Sequence, residues 1–262
     1  MNIRYHRFGL IGYPLEHSAS ALYFAKKFER EGLTDYSYSL FPLLSADEVR
    51  PLISNTPGLQ GFNVTIPHKQ SIIQFLDYLD PLAREIGAVN TVIINRSGPE
   101  VKLRGYNTDA GGFKNSLNPD FNHTHALILG TGGSSRAIAY ILKEMGVEIL
   151  NVSRTKKDVL TIRYDELTSA LLEKFTFIVN CTPAGMIPDT GSAPPLPFAL
   201  LGPRHFVYDL IYKPAETKLL RLARESGAST QNGFRMLELQ AELSFAIWMN
   251  ASNDCLPVTG EQ

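Results

Sequence analysis

The sequence predicts an α/β protein in two units, each a sheet of largely parallel strands covered by helices. Short apolar runs alternate with helical patterns along the chain, as parallel sheets require. The 262 residues, 44% of them hydrophobic, suit two modest domains with cores of their own. The pattern also restarts near residue 110, where a fresh strand runs into a glycine-rich loop.

The elements follow in order. Residues 7–12 are an apolar, buried strand, and 18–31 a helix. Residues 36–43 form a second strand, and 45–54 a helix that Ser45 is placed to cap. A third strand covers 59–65, and Pro67 suits the first turn of a helix, where its missing N–H is harmless. Residues 89–95 and 103–107 pair as a hairpin around Ser97-Gly98-Pro99. In the second unit, 125–129 is a strand, and Ile138, Ile141, Leu142 and Met145 mark one face of the helix behind it. Strands follow at 148–153, 175–181 and 205–210, then an amphipathic helix at 217–226. A last helix spans 234–250 with Leu237, Ala241, Phe245 and Trp248 on one stripe, before a polar, frayed tail.

Composition narrows the function. A formal net charge of -1, evenly mixed, argues against a nucleic-acid groove or an anionic membrane surface. Two cysteines, Cys181 and Cys255, make no disulfide framework and lack zinc-ligand spacing, so no metal is expected. The N-terminal residues lack a signal core and no run reaches membrane-span length, which points to the cytoplasm. A homodimer is compatible with the sequence, which does not fix the oligomeric state.

Gly130-Thr131-Gly132-Gly133-Ser134 sits between a strand and a helix. There, glycines let the backbone turn tightly and approach a pyrophosphate seated at the helix N-terminus. The third glycine of the dinucleotide fingerprint is Ser135, so the match is partial, and an ordinary tight turn is the bland alternative. About 20 residues on, an NAD site places an acid for the ribose 2′-hydroxyl. Here the chain reads Ser153-Arg154-Thr155-Lys156-Lys157. Three cations and no acid favour a 2′-phosphate, hence NADP; a solvated turn is the alternative.

Three further segments carry polar chemistry. Ser18 and Ser20 follow the first strand at a helix start, where free N–H groups accept an anion such as a carboxylate. Plain helix capping explains them equally well. Thr65 and Lys69 flank the exit of the third strand, and Asn107-Thr108-Asp109 another exit. A carboxylate beside a lysine would hold the ammonium and tune its proton affinity. The alternatives are a surface lysine and a helix-capping aspartate. Asn90 could add a hydroxyl-binding amide, or be a turn residue. His68 would point away from Lys69, its neighbour in sequence.

From Phe8 to Trp248 the chain resembles the shikimate dehydrogenase family. The resemblance rests on an ordered set of motifs: Gly12 to Ser20, Asn63-Val64-Thr65-Ile66-Pro67-His68-Lys69, Gly87 to Thr91, Asn107-Thr108-Asp109, the Gly130 loop, Asn180-Cys181-Thr182-Pro183, Asp209-Leu210-Ile211-Tyr212 and Gly233 to Gln240. It implies a substrate-binding α/β domain over 1–109, completed by 235–262, and a Rossmann-type NADP-binding domain over 110–234. The last helix would pack back on the first domain. By resemblance Ser18 and Ser20 hold the substrate carboxylate. Thr65, Asn90, Asp109 and Gln240 bind ring hydroxyls, with Tyr212 nearby. Lys69 is the acid/base, paired with Asp109. Gly130 to Ser134 take the pyrophosphate, Ser153 to Lys157 the 2′-phosphate, and Leu210, Gly233 and Met236 flank the nicotinamide. The implied reaction is NADPH-dependent reduction of 3-dehydroshikimate to shikimate. The rivals are a quinate/shikimate dehydrogenase using NAD, and a silent metabolite-binding module. Ala21 and Phe24 depart from the family pattern away from substrate, while Asp158 stands where a second arginine is usual and weakens the NADP reading.

Overall fold

The computed structural model describes residues 5–16, 18–156 and 159–253. Two compact units emerge, Met1–Thr108 with Ala241–Gln262, and Asp109–Gln240.

The first unit is a six-stranded mixed sheet in the order β2-β1-β3-β5-β6-β4, with β1 His6–Gly12, β2 Tyr36–Pro42, β3 Leu59–Val64, β4 Tyr78–Leu79, β5 Thr91–Asn95 and β6 Lys102–Tyr106. The first three pair in parallel. β5 then runs antiparallel to both β3 and β6, which is the expected hairpin. Helix α1, Ser20–Arg30, buries Phe24 and Phe28. The helix expected at 45–54 is a 3-10 turn, Ala46–Glu48, leading into α2, Val49–Asn55. Ser45 caps it as a capping box: its Oγ accepts from Asp47 N–H, and Glu48 Oε1 accepts from Ser45 N–H at 2.8 Å. Pro67 does not open a helix. The His68 N–H closes on Thr65 O and the Ile72 N–H on His68 O, so the chain makes successive turns before a 3-10 segment, Ser71–Phe75. Asp80 caps α3, Pro81–Ile86, through Leu82 N–H, with the proline at its first position.

One face of this sheet buries Ile11, Phe62, Val64, Val92 and Leu103 among their neighbours. The other buries Phe8, Phe24, Ala241 and Trp248. The last two come from the final helix α8, Phe234–Asn253, so its second half completes the first unit. Trp248 stacks on Phe8 with centroids 4.5 Å apart, and its Nε1–H donates to Val92 O at 3.1 Å. Lys27, buried, bonds Glu242 at 2.7 Å and holds the same helix from the α1 side.

The second unit is an all-parallel sheet in the order β12-β11-β10-β7-β8-β9: β7 His125–Leu129, β8 Glu148–Ser153, β9 Thr161–Arg163, β10 Phe177–Asn180, β11 Phe206–Asp209 and β12 Ser229–Asn232. Counted within the unit this is 6-5-4-1-2-3, the doubly wound dinucleotide order, with its switch point between β7 and β10. Helices α4 Asp109–Ser116, α5 Gly133–Glu144, α6 Ser169–Lys174 and α7 Lys218–Glu225 accompany it. Where the sequence expectation divides the chain after residues 109 and 234, the compact units divide after 108 and 240. α4 starts at Asp109 and packs on α5. The first turns of α8 lie against α4 so closely that a Cβ on Gly112 would come within 2.8 Å of Gln240 Cβ. Among the described residues no helix is long and apolar enough to cross a membrane.

The docking of α8 turns on Gly61. A Cβ there would stand 2.5 Å from Trp248 Nε1 and 2.8 Å from Val92 O, between the donor and acceptor of that bond. Gly61→Ala is therefore expected to cost about 1–3 kcal/mol, read as a lowered thermal midpoint. An unchanged midpoint would show that this contact does not hold the helix.

Candidate active site

In the first unit, the ends of β1 and β3 are pressed together. Thr65 N–H donates to Ile11 O at 2.9 Å and Tyr13 N–H to Ile66 O at 3.0 Å. Gly12 makes this possible, because a side chain there would collide with Thr65 Cγ2 and Ile66 O. The segment after β1, carrying Ser18 and Ser20, thus leaves the sheet beside Thr65. Ser18 Oγ accepts the Ser20 N–H at 3.3 Å at the entrance of α1, and Ser20 is buried in the helix's first turn. His17, between them and Gly12, lies outside the described residues.

Lys69 is half-buried in the turns after β3. Its carbonyl accepts the Val89 N–H at 2.7 Å, which sets it beside Asn90. Asn90 is buried and already engaged: Nδ2 donates to Thr108 Oγ1 at 2.9 Å, and Oδ1 accepts the Thr108 N–H at 2.7 Å. Asn107 donates to Ala88 O at 2.9 Å. The exits of β1, β3 and β6 and the entry to β5 therefore gather Thr65, Lys69, Asn90 and Thr108 at one region of the first unit. His68 points away, its Nε2 2.7 Å from Leu43 O.

Behind this region is a polar knot that sequence reading missed. Asn63 Nδ2 lies 2.9 Å from Ser244 Oγ and 3.2 Å from Thr91 Oγ1, and its Oδ1 accepts from Tyr38 Oη–H at 2.8 Å. Ser244 Oγ is 2.7 Å from Thr91 Oγ1 and 3.0 Å from Thr108 Oγ1. Polar residues at inward positions of an apolar strand were the available signal for Asn63 and Thr91. Nothing local in the sequence marks Ser244.

In the second unit, Asp109 is the first residue of α4 and only 4% exposed. Gly130 leaves β7 with φ 103°, in the region that favours glycine, and its N–H donates to Val152 O at 2.8 Å. Thr131, Gly133 and Ser134 are half-buried and Gly132 exposed, with open space around Gly132 where a ligand's phosphates can approach. Gly132 is the N-cap of α5, and Ser135, where the fingerprint has glycine, is buried and donates to Gly132 O at 2.6 Å. The hydroxyl of Ser135 thus ties the loop from inside. Ser153 ends β8, and Arg154 and Thr155 stand exposed after it. Lys156 is drawn onto Glu166 at 2.6 Å, and Lys157 lies outside the described residues. Arg154 is near Tyr164, whose hydroxyl burial pushes up to about 12 against the opposing pull of the guanidinium.

Leu210 and Gly233 touch: a Cβ on Gly233 would collide with the Leu210 carbonyl, and the Gly233 N–H donates to Ile211 O at 3.2 Å. Met236 is buried one turn into α8, while Tyr212 and Gln240 are half-buried, Gln240 donating to Leu237 O at 3.0 Å. Asp209, fully buried at the end of β11, is the charged group that sequence reading left without a role. Three donors surround it: Asn180 Nδ2 at 2.9 Å, Ile211 N–H at 3.1 Å and Thr217 Oγ1–H at 2.6 Å. Burial raises its pKa from 3.8 to about 6, the three donors opposing.

The chain is similar to known proteins throughout. The shikimate dehydrogenase substrate binding domain model matches residues 10–92. A shikimate dehydrogenase (NADP(+)) from Caldanaerobacter subterraneus is 38% identical, over 92% of this chain and 90% of that one. A crystal structure of shikimate 5-dehydrogenase from Thermus thermophilus in complex with NADP(H) and shikimate superposes with TM-score 0.80 at 32% identity, over 94% of each chain. A quinate dehydrogenase from Corynebacterium glutamicum in complex with NAD gives TM-score 0.80 at 26% identity, over 94% of each chain.

The raised pKa of Asp209 has a definite sign. A carboxyl whose folded pKa lies above its unfolded one contributes stability fully below pH 3.8, and loses it as pH rises through about 6. By neutral pH the ionised group costs the fold up to about 3 kcal/mol. Asp209→Asn, neutral throughout, should gain stability over the parent as pH climbs from about 4 to 7 and hold that gain above. Urea unfolding midpoints across this range check it; a constant difference would place the Asp209 pKa elsewhere.

Proposed function

The chain belongs to the shikimate dehydrogenase family, and from that premise we propose which of its residues carry the reaction. It is an NADP-dependent oxidoreductase that interconverts 3-dehydroshikimate and shikimate. NADPH, when bound, would supply a hydride to the ring carbonyl carbon, and a proton must reach the resulting alkoxide in the same event. The single observation that carries the assignment is the gathering of Thr65, Lys69, Asn90 and Thr108 at the strand exits of the first unit, with Asp109 the next residue in the chain.

Lys69 is the acid/base: it delivers the proton in reduction and accepts it in reverse. Asp109, a buried acid, orients the ammonium and binds a ring hydroxyl. Thr65, Asn90, Gln240 and Tyr212 take the remaining hydroxyls. The engagement of the Asn90 amide with Thr108 supports a role in which Asn90 offers a fixed rather than a mobile donor. Ser18 and Ser20 hold the carboxylate where β1 gives way to α1. Placement in the correct geometry is worth about 7–11 kcal/mol in favourable cases, and proton transfer about 10²–10⁴-fold.

Gly130, Thr131, Gly132, Gly133 and Ser134 receive the pyrophosphate at the N-terminus of α5. Ser153, Arg154, Thr155 and Lys157 receive the 2′-phosphate, and Leu210, Gly233 and Met236 flank the nicotinamide. With Lys156 paired to Glu166, Arg154 is the principal cation of this set among the described residues. The likeness to a quinate dehydrogenase with NAD supports one second reading, in which quinate and NAD are also used. The cytoplasm is the proposed setting, in keeping with a sequence whose two cysteines make no disulfide framework. A homodimer is proposed as well: among the described residues β2 pairs only with β1, leaving an edge of the kind a second copy can cover. Sedimentation decides it.

Lys69→Ala is expected to lower kcat about 10²–10⁴-fold while leaving dehydroshikimate binding nearly intact. Equal loss of both, or surviving turnover, would remove the acid/base role. Arg154→Ala should raise KM for NADPH about tenfold, as loss of a charged phosphate contact predicts, and leave KM for the acid unchanged. Assays of shikimate and quinate with each cofactor accompany it; an Arg154→Ala enzyme with unaltered NADPH kinetics returns NAD to contention.

A further inference from the structure

One fully buried charge is used by nothing in the reaction just described, yet it touches the frame of three cofactor segments. Asn180 and Asp209 end the neighbouring strands β10 and β11 and stand opposite each other in register. Asp209 Oδ1 accepts from Asn180 Nδ2 at 2.9 Å and from the Ile211 N–H at 3.1 Å. Its other oxygen accepts from Thr217 Oγ1, which also caps α7.

From there the bonds run outward in two directions. Asn180 Oδ1 accepts from Thr182 N–H at 3.0 Å and from Thr182 Oγ1–H at 2.7 Å. Thr182 lies against Gly130, where a Cβ would come within 3.1 Å of its Cγ2. On the other side, Ile211, held by Asp209, accepts from the Gly233 N–H, and Gly233 abuts Leu210. The Leu210 N–H donates to Asn180 O at 3.0 Å, closing the circuit. The nucleotide loop, Leu210 and Gly233 thus share one anchor.

We propose that Asp209 is a positioning residue for the nicotinamide and pyrophosphate end of NADP, acting through Asn180, Thr182 and Ile211. This rests on the cofactor reading given above. Charge-assisted bonds from a carboxylate are stronger than those of neutral acceptors. That strength accounts for a buried charge kept at a cost to the fold: a neutral, more stable residue would relax the three segments it fixes. An asparagine can still accept at one oxygen, but must donate where the carboxylate accepts from Thr217.

The test separates the two ends of the cofactor. Binding of NADP+ and of adenosine 2′,5′-bisphosphate, which carries only the adenine and 2′-phosphate end, is measured by calorimetry for the parent, Asp209→Asn and Thr182→Val. The expected result is an NADP+ Kd raised about tenfold in each variant. The bisphosphate Kd should stay within about twofold, and the double variant should be no worse than the weaker single, as residues in one network give. Parallel weakening of both ligands would mean general loosening and would overturn the proposal, as would unchanged NADP+ binding. If Asp209→Asn does not fold, Thr182→Val decides by the same two ligands. Because binding is read without turnover, a parent enzyme that binds NADP+ but does not reduce dehydroshikimate would refute the assigned reaction and leave this inference standing.

Discussion

Buried amide side chains carry on the hydrogen-bond ladder where the strands of both sheets stop. A strand exit is a hazard, because its backbone groups lose their ladder partners while still surrounded by apolar core. In the first unit Asn63 and Asn90 supply the missing bonds. Asn63 Nδ2 donates to the Asn90 backbone O at 3.1 Å, and the Asn90 side-chain amide takes both the N–H and the hydroxyl of Thr108. In the second unit Asn180 does the same for Thr182. Without these amides the exits would be free to splay, and the functional groups they carry would lose fixed positions.

Rigid exits suit a hydride-transfer enzyme. The carbon that receives hydride and the oxygen that receives a proton are adjacent atoms, so donors must be held to within a fraction of an ångström. The strand exits are fixed by close backbone approaches as well as amides. Gly12 lets the end of β1 meet Thr65, and Gly233 lets the start of α8 meet Leu210. Gly61 and Gly112 allow the two halves of α8 to seat, one on β3 and β5 through Trp248, the other on α4. Glycine serves here by the absence of a side chain, rather than by its dihedral freedom.

Much of this was legible in the sequence because it is local. The strand–glycine–helix run at 125–144 is read by period and composition, and the cap at Ser45 by residue type alone. The order of polar motifs carried the family resemblance. What the sequence withheld is what depends on distant partners. Ser244 is one hydroxyl on a helix that also carries Arg235, Glu238, Gln240 and Glu242, and its bonds go to residues more than a hundred positions away. Asp209 enters the sequence reading only as part of a motif, and only the fold buries it beside Asn180. Pro67 reads as a helix start, yet the chain there must deliver Lys69 and still close onto Asn90's neighbour Val89, and a tighter series of turns does both.

The segment proposed to receive the 2′-phosphate carries a compromised charge cluster. Counting cations in the sequence overstates the attraction, because Lys156 is already bonded to Glu166. Both partners are substantially exposed, at 54% and 39% of the side chain, and an exposed pair of this kind is worth less than about 1 kcal/mol. A dianionic phosphate arriving beside Arg154 competes for Lys156 at little cost, since each phosphate oxygen is at least as good an acceptor as the carboxylate it replaces. A neutral ribose hydroxyl makes no such claim, and the lysine stays with Glu166. On the proposed assignment the pair would act as a weak latch that a phosphate can open and a hydroxyl cannot. Preference for NADP would then depend on a difference in acceptor charge, with no dedicated carboxylate needed to turn NAD away.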